Sequence, residues 1–405
     1  MMTNPSTEAK RFLFLFSDTG GGHRASAQAV AQEMTRLYGD AASIEMLDIF
    51  VEMGRWPFDK FPRWYPTVVG LNGVPWGIGY RLSNHLKLVK VVSRLTWPYA
   101  RRPIRQLLHE HPADVIVSFH GLPNYILHLA LQTSDLPVPL IIVALDLVTV
   151  HASWFTPGAA TYLVPTEAAK DRALRWGLPT GRVEVTGMPI RRCFVQAQAL
   201  TRAEARARLG LPRDETIVMV MGGGEGMGPF ADVTRAITEA APSAYVVAIT
   251  GRNRALYQEL SALRGRAAPK LHVEGFVNDI EVWMRAADLL VTKAGPNTLA
   301  EAFVMGLPVV LYTALPGQET GNVTHVVEHG AGVWAPTPSQ AARAVRELLA
   351  HPDRRREMAA RSRALALPRA AESIAQQLWL VGQIYVPPPL SLVPPMDLTL
   401  RLPFR

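Results

Sequence analysis

Phe12-Leu13-Phe14-Leu15-Phe16-Ser17-Asp18-Thr19-Gly20-Gly21-Gly22-His23-Arg24-Ala25-Ser26-Ala27 runs from an unbroken apolar stretch, through three glycines, into a helix-forming segment. Five consecutive apolar residues suit a strand buried on both faces, the environment of a parallel sheet. The glycines let backbone approach a ligand closely, and the N–H groups of a helix starting at or near His23 attract anionic or polar groups. His23 at the mouth of such a turn can accept a proton near neutral pH. A glycine turn with an incidental histidine is the plainer account of the same residues.

Outward from this unit, β-rich runs alternate with helical patterns, which predicts an α/β chain built on parallel sheets. Strands are expected near 11–17, 43–48, 114–119, 140–145, 161–164 and 183–186, then near 216–221, 244–249, 271–274, 288–292 and 308–312. Helices are expected between them, for example over 24–37, 167–176, 228–241, 253–264, 297–305 and 338–350. The rhythm breaks where Met188-Pro189-Ile190-Arg191-Arg192 leads into the Arg/Ala-rich segment 201–209. The expected division is a first domain over 1–200, a second over 201–385 and a Pro-rich tail over 386–405. Two Rossmann-like, doubly wound domains facing each other would place a ligand cleft between the carboxyl ends of both sheets.

The 405 residues, 48% apolar and 19% charged, fit two globular domains and exclude a disordered chain. The single cysteine, Cys193, excludes a disulfide framework and a Cys-based zinc site. The apolar run at 12–16 is far short of the ~20 residues that a membrane span needs, and no cleavage pattern follows it. The sequence therefore predicts neither a signal peptide nor a transmembrane helix. Lys and Arg number 42 against 34 Asp and Glu, a net charge of +8 that points to an anionic partner.

Two further segments repeat the strand–turn–helix chemistry. Met221-Gly222-Gly223-Gly224-Glu225-Gly226-Met227-Gly228-Pro229 places five glycines in seven residues, suited to close approach of a diphosphate. It has neither the Gly-Lys-Ser/Thr of a Walker loop nor dinucleotide spacing, and a flexible loop is its plainer account. Thr292-Lys293-Ala294-Gly295-Pro296-Asn297-Thr298-Leu299-Ala300-Glu301-Ala302 opens a helix at Pro296 or Asn297, with Lys293 beside its free N–H groups. Glu301 lies one turn on, where a carboxylate can accept two hydrogen bonds from a vicinal diol. Pro316-Gly317-Gln318-Glu319-Thr320-Gly321-Asn322 then offers an amide and a carboxylate for other hydroxyls. Taken singly, Glu301 could equally be a solvated helix residue and Gln318-Glu319 an ordinary first turn.

In order and content these segments resemble the glycosyltransferase family of plant-type monogalactosyldiacylglycerol synthases and, more distantly, the bacterial peptidoglycan-precursor N-acetylglucosaminyltransferase. The resemblance runs from about residue 11 to 380 and includes Gly251-Arg252-Asn253, Trp56-Pro57-Phe58, Leu122-Pro123 and Thr186-Gly187-Met188-Pro189. It implies the two-domain GT-B arrangement and transfer of a hexose, galactose over glucose, from a UDP-sugar to diacylglycerol. By that resemblance His23 is the candidate base for the acceptor hydroxyl, with Asp18 or Asp146 able to orient or replace it. Gly223, Gly224, Gly251 and Gly295-Pro296-Asn297 match the diphosphate and nucleotide contacts, and Gly22, Glu225, Arg252, Lys293 and Thr298 complete the UDP-sugar set. Phe276 and Val277 match the backbone that meets uracil, Glu301 the ribose ligand, and Gln318 and Glu319 the sugar-hydroxyl ligands. Asn297 departs from the family, which has a second glycine after the proline, and Phe119-His120-Gly121-Leu122 is only a loose match on the acceptor side. The chain has no Asp-x-Asp metal clamp, so neither a metal nor a cofactor is expected; UDP-hexose is a substrate.

The excess charge has one address. Residues 53–105 hold ten basic residues, Arg55, Arg63, Arg101 and Arg102 among them, against the single Asp59, interleaved with aromatics that include Trp56, Phe58, Trp64, Trp76, Tyr80, Trp97 and Tyr99. Lys and Arg beside Trp and Tyr suit an anionic lipid interface, each basic residue near it contributing about 1 kcal/mol. Trp56, Pro57, Phe58, Arg55, Arg63, Trp64, Arg101 and Arg102 are accordingly the expected membrane contacts of a peripheral enzyme on the cytoplasmic face. An aromatic-rich core loop with a solvated basic face is the plainer account. Nucleic-acid binding is disfavoured because no recognisable module surrounds the segment. A UDP-glucose-dependent, processive enzyme and a non-catalytic UDP-sugar binder remain as alternatives.

Overall fold

The computed structural model describes residues 8–18, 21–54, 58–60, 74–134, 136, 138–263, 265 and 268–385. Twelve strands form two six-stranded sheets in which every pairing is parallel. The first sheet holds β1 (Lys10–Phe16), β2 (Ala42–Asp48), β3 (Val115–Ser118), β4 (Leu140–Val143), β5 (Thr161–Val164) and β6 (Val183–Val185), ordered β2-β1-β3-β4-β5-β6. The second holds β7 (Ile217–Met221), β8 (Tyr245–Ile249), β9 (Leu271–Glu274), β10 (Leu289–Lys293), β11 (Val309–Thr313) and β12 (Gly332–Trp334), ordered β12-β11-β10-β7-β8-β9.

Phe12 to Phe16 are each at most 2% exposed, as a central strand covered on both faces requires. The register pairs Phe12 with Val115 and Leu13 with Ile116, so apolar residues face one another across the ladder. Strand order reverses between β1 and β3 in the first sheet and between β7 and β10 in the second. At such reversals the outgoing loops diverge and leave a crevice. Three of the four glycine- and proline-rich turns read from sequence leave β1, β7 and β10, and therefore line these two crevices. The fourth, at 316–322, follows β11.

Eleven of the twelve strands were legible from apolar runs; β12 was not, because three residues carry no usable periodicity. The helices Val74–Ser83 and Leu86–Glu110 occupy much of the basic segment. On the second, Ser93, Ala100, Ile104 and Leu107 face inward, while Leu88, Val92, Leu95 and Tyr99 form an exposed apolar stripe at helical spacing. Among the described aromatics of this segment, Tyr80 is 7% exposed and Trp97 packs on the core, whereas Tyr99 stays exposed. Large rings gain most from burial, and Leu, Val and Ile fill most of the exposed apolar positions beside Tyr99. Arg101 and Arg102 are exposed on this helix, and Phe58 opens the short turn Phe58–Lys60. Arg55, Trp56, Pro57, Arg63 and Trp64 lie outside the described residues.

Two helices tie the second domain down, one within itself and one onto the first domain. Helix Arg202–Leu209 presents Arg206, whose guanidinium meets Asp288 at 2.6 Å at the foot of β10, and Asp288 also accepts the Ile217 N–H at 2.8 Å. The last helix, Ala370–Ile384, lies within the range expected for the second domain but packs on the first. Trp379 stacks on Tyr38 at 4.2 Å and 11° and meets Phe12 at 6.3 Å, and Gln377 donates to Glu184. Leu378 in this helix is fully buried. We predict that Leu378→Ala costs about 3 kcal/mol, as a cavity in a close-packed core does; urea denaturation followed by tryptophan fluorescence measures it.

Candidate functional site

The carboxyl ends of the two sheets face each other across one cleft. Helix Gly22–Tyr38 begins after Gly21, held at φ +80°, and helix Pro296–Met305 begins after Gly295; neither has a side-chain cap. The first N–H groups of both helices are therefore available to a ligand, and their dipoles favour negative charge. Asn297 joins the two domains here, its amide donating to Ser26 Oγ at 2.9 Å and to the Gly22 carbonyl at 3.4 Å. The departure from the family pattern is thus a hydrogen bond across the cleft.

Three cavities follow one another along this cleft. The largest, 670 Å³, is walled by Gly223, Gly224, Gly251, Arg252, Phe276 and Glu301 on one side and by Asp18, Gly22 and Arg24 on the other. Its floor depends on Gly251: at φ +64° a Cβ there would stand 2.3 Å from the Gly224 carbonyl oxygen. A second cavity of 200 Å³ joins it through Gly22, Gly223 and Asn297, and reaches Lys293, Gln318 and Glu319. The third, 410 Å³ and mainly apolar, is lined by Trp76, Tyr80, Leu122, His151 and Trp154. His23, Asp146 and Gln318 stand at the junction, lining both the second and third cavities.

His23 is fixed by one hydrogen bond. Its Nδ1 lies 2.7 Å from the Phe119 carbonyl oxygen. A carbonyl only accepts, so Nδ1 carries the proton and the Nε2 lone pair is the free base. Burial lowers the His23 pKa to about 4, against the opposing pull of the Phe119 carbonyl and the Asp18 charge. The imidazole is therefore neutral at pH 7. His120, its ring 4.6 Å away, is likewise held well below the usual value by burial and by His23.

The carboxylates divide by environment. Asp146 accepts from Trp154 Nε1 at 2.8 Å, Gln318 Nε2 at 3.2 Å and the His151 N–H at 3.3 Å. Burial pushes it up to about 6, with those three hydrogen bonds pulling down and the Glu319 charge adding to the rise. Asp18 instead receives the Arg24 guanidinium, Nε at 2.9 Å from both oxygens, and has no hydrogen bond to His23. Glu301 projects into the large cavity and is pushed up to about 8 by burial, Arg191 opposing the rise and Glu281 adding to it. Lys293 is occupied: its ammonium meets Glu319 at 2.5 Å, and Glu319 also accepts the Leu315 N–H. Both groups are largely buried, so the pair delivers less free charge to the cleft than the sequence alone suggests. Arg252 pairs with Glu225 at 2.7 Å and lies over the Phe276 ring. Gln318 keeps its Oε1 buried and without a hydrogen-bond partner.

The structure thus gathers most of the expected residues around one cleft. Sequence reading missed Arg191 in the large cavity and the apolar wall of Trp76, Tyr80, His151 and Trp154. The wall comes from segments with no glycine turn and no motif spacing; only its clustered aromatics offered a signal. Among the described residues, no group of three or more His, Cys, Asp or Glu side chains is placed to hold a metal ion, and no helix is long and apolar enough to cross a membrane.

Two facing Rossmann-like domains with a nucleotide-sized cleft between their carboxyl edges are the GT-B fold. Solved structures share the fold: Acinetobacter baumannii MurG superposes with a TM-score of 0.60 at 15% identity over 92% of this chain and 99% of its own. The S. aureus MnaA–UDP co-structure gives 0.61 at 14% identity, covering 94% and 99%. The family model for monogalactosyldiacylglycerol (MGDG) synthase matches residues 23–190, and that for the glycosyltransferase family 28 C-terminal domain matches 217–377. Probable monogalactosyldiacylglycerol synthase 2, chloroplastic, of Oryza sativa subsp. japonica is 35% identical over 399 residues, covering 93% of this chain and 81% of the relative. Monogalactosyldiacylglycerol synthase 2, chloroplastic, of Arabidopsis thaliana is 34% identical over 392 residues, covering 91% and 80%. The chain belongs to the monogalactosyldiacylglycerol synthase family.

The geometry at His23 gives a direct check. Nitrogen-detected NMR titration should show the Nδ1–H tautomer and a midpoint near 4. A midpoint close to the ordinary value of about 6.5 would mean that the ring is open to water.

Proposed function

We propose that this chain transfers galactose from UDP-galactose to the free hydroxyl of diacylglycerol at a membrane surface, giving a β-glycoside with inversion. The observation that carries the reading is the junction itself. His23 and Asp146 stand where the small cavity that continues the nucleotide-sized one meets the apolar one, so a sugar's anomeric carbon and a lipid hydroxyl would meet beside a fixed base. The names of the relatives favour galactose over glucose. The alternative of a non-catalytic binder fits less well, because a binder needs no base at the acceptor side.

In this reading UDP fills the large cavity, with uracil at Phe276 and Val277, the ribose diol on Glu301 and the diphosphate between the two uncapped helix starts. Gln318 Oε1 accepts from a sugar hydroxyl. The acceptor oxygen forms a bond to the anomeric carbon as the bond from that carbon to the β-phosphate oxygen breaks on the opposite face. The acceptor proton passes to the neutral His23 at Nε2, and Asp146, mainly ionised at pH 7, holds the acceptor side or takes the proton in its place. Charge growing on departing UDP falls on backbone N–H groups already oriented to receive it, the usual source of the largest single stabilisation in such sites. This accounts for the leaving group without a metal or other cofactor. The exposed stripe Leu88, Val92, Leu95 and Tyr99, flanked by Lys87, Arg94, Arg101 and Arg102, suits adsorption to an anionic bilayer.

Purified protein with diacylglycerol vesicles should form a galactolipid from UDP-galactose faster than a glucolipid from UDP-glucose; no product with either donor would end the enzyme reading. His23→Ala should lower turnover ~10²-fold while UDP still binds. Glu301 supplies a pH test. The diol donates to its ionised form, so binding lowers its pKa from about 8 and releases a proton. UDP affinity should therefore climb with pH and level off above about 8. Calorimetry should show Glu301→Gln binding UDP about 2 kcal/mol more weakly at alkaline pH and without that dependence.

A further inference from the structure

Helix Val74–Ser83 turns two faces to two different surroundings. Outward, Ile78 is 56% exposed and Leu82 67%, beside the exposed Arg81. Inward, the helix lies on the turn that carries Gln318 and Glu319, and both partners have given up side chains to make the contact. A Cβ on Gly77 would stand 2.6 Å from Pro316 Cβ and 3.3 Å from the Pro316 carbonyl oxygen, while a Cβ on Gly317, itself at φ +83°, would stand 3.0 Å from the Tyr80 ring. Approach this close is possible only without side chains at both positions.

Hydrogen bonds extend the seam on either side of these glycines. Tyr80 Oη donates to the Thr149 carbonyl oxygen at 2.5 Å, and Thr149 Oγ1 accepts the Gly321 N–H at 3.1 Å. Gln318, between Gly317 and Gly321, donates to Asp146 at 3.2 Å. Residues on both sides of Gln318 are therefore set by the first domain: Pro316 and Gly317 by the helix, Gly321 by the Val148–Thr149 loop. Gly79, on the same helix, has no atom within 4 Å of where its Cβ would be.

We propose that helix Val74–Ser83 positions the donor's sugar-binding turn through Gly77, and that insertion of Ile78 and Leu82 into a bilayer thereby raises affinity for the hexose half of the donor. The inference rests on the reading of UDP-hexose as donor and of the basic segment as membrane-facing. It separates two halves of one substrate: the nucleotide cavity lies away from the seam, and the sugar cavity includes Gln318. Gly77 is a positioning residue, since it acts on the sugar through the turn.

The test is calorimetric affinity for UDP and for UDP-galactose, measured on the full chain in the absence of diacylglycerol so that no turnover intervenes. Gly77→Ala should weaken UDP-galactose about tenfold and leave UDP within about twofold, since only the sugar contacts shift. Gly79→Ala, a like change in open space, should leave both affinities as they are. Vesicles of phosphatidylcholine and phosphatidylglycerol should tighten UDP-galactose binding but not UDP binding, and Leu82→Ser should abolish that gain. Equal losses for the two nucleotides in Gly77→Ala, or no loss, would overturn the positioning role. Unchanged UDP-galactose affinity in protein that co-sediments with the vesicles would overturn the coupling. Wild-type protein that binds neither nucleotide would overturn the donor reading instead.

Discussion

Backbone N–H groups without partners are the constraint on which this molecule turns. Helices Gly22–Tyr38 and Pro296–Met305 both begin at glycine caps that supply no side-chain acceptor. Such ends are costly when buried and unsatisfied, so they must open onto solvent or a ligand, and that requirement keeps a cleft between the domains. The Asn297 amide spans the gap to Ser26 and Gly22. The approach of the two helix starts is thus set by a neutral hydrogen bond, and the positive ends of both dipoles are left to an anion.

The charged residues around the cleft reinforce this arrangement by cancelling one another. Arg24 is held by Asp18, Arg252 by Glu225 and Lys293 by Glu319. With its nearest cations already paired, the cleft relies on fixed dipoles for much of its attraction to anions. Fixed dipoles need not reorganise as charge develops on a leaving group. The exposed Arg252–Glu225 pair, at 53% and 50% side-chain exposure, is far cheaper to exchange for a phosphate than the buried Lys293–Glu319 pair.

Much of this was written in local pattern. The run Phe12–Phe16 declares a buried strand, and the glycine- and proline-rich turns that follow β1, β7 and β10 declare where strand gives way to helix. Each is a property of neighbouring residues, so it survives without coordinates. The resemblance to the galactolipid branch added the family, which the relatives bear out. Sequence did not foretell that Tyr80 and Trp97 of the basic segment would pack inward while Tyr99 stays exposed. Composition places Trp and Tyr near Lys and Arg, but only packing decides which face of a helix each one takes.

Sequence by itself determined the alternation of strand and helix, the two-domain plan and the order of the site residues along the chain, because periodicity and turn chemistry act over a few residues. Tertiary structure decided which nitrogen of His23 bears the proton, through a carbonyl 96 residues away, and which carboxylates are paired and which are free. It also decided that the last helix closes the first domain, since Trp379 finds Tyr38 and Phe12 only once both sheets exist. Protonation and pairing depend on distances between residues remote in the chain, and no local pattern records those distances.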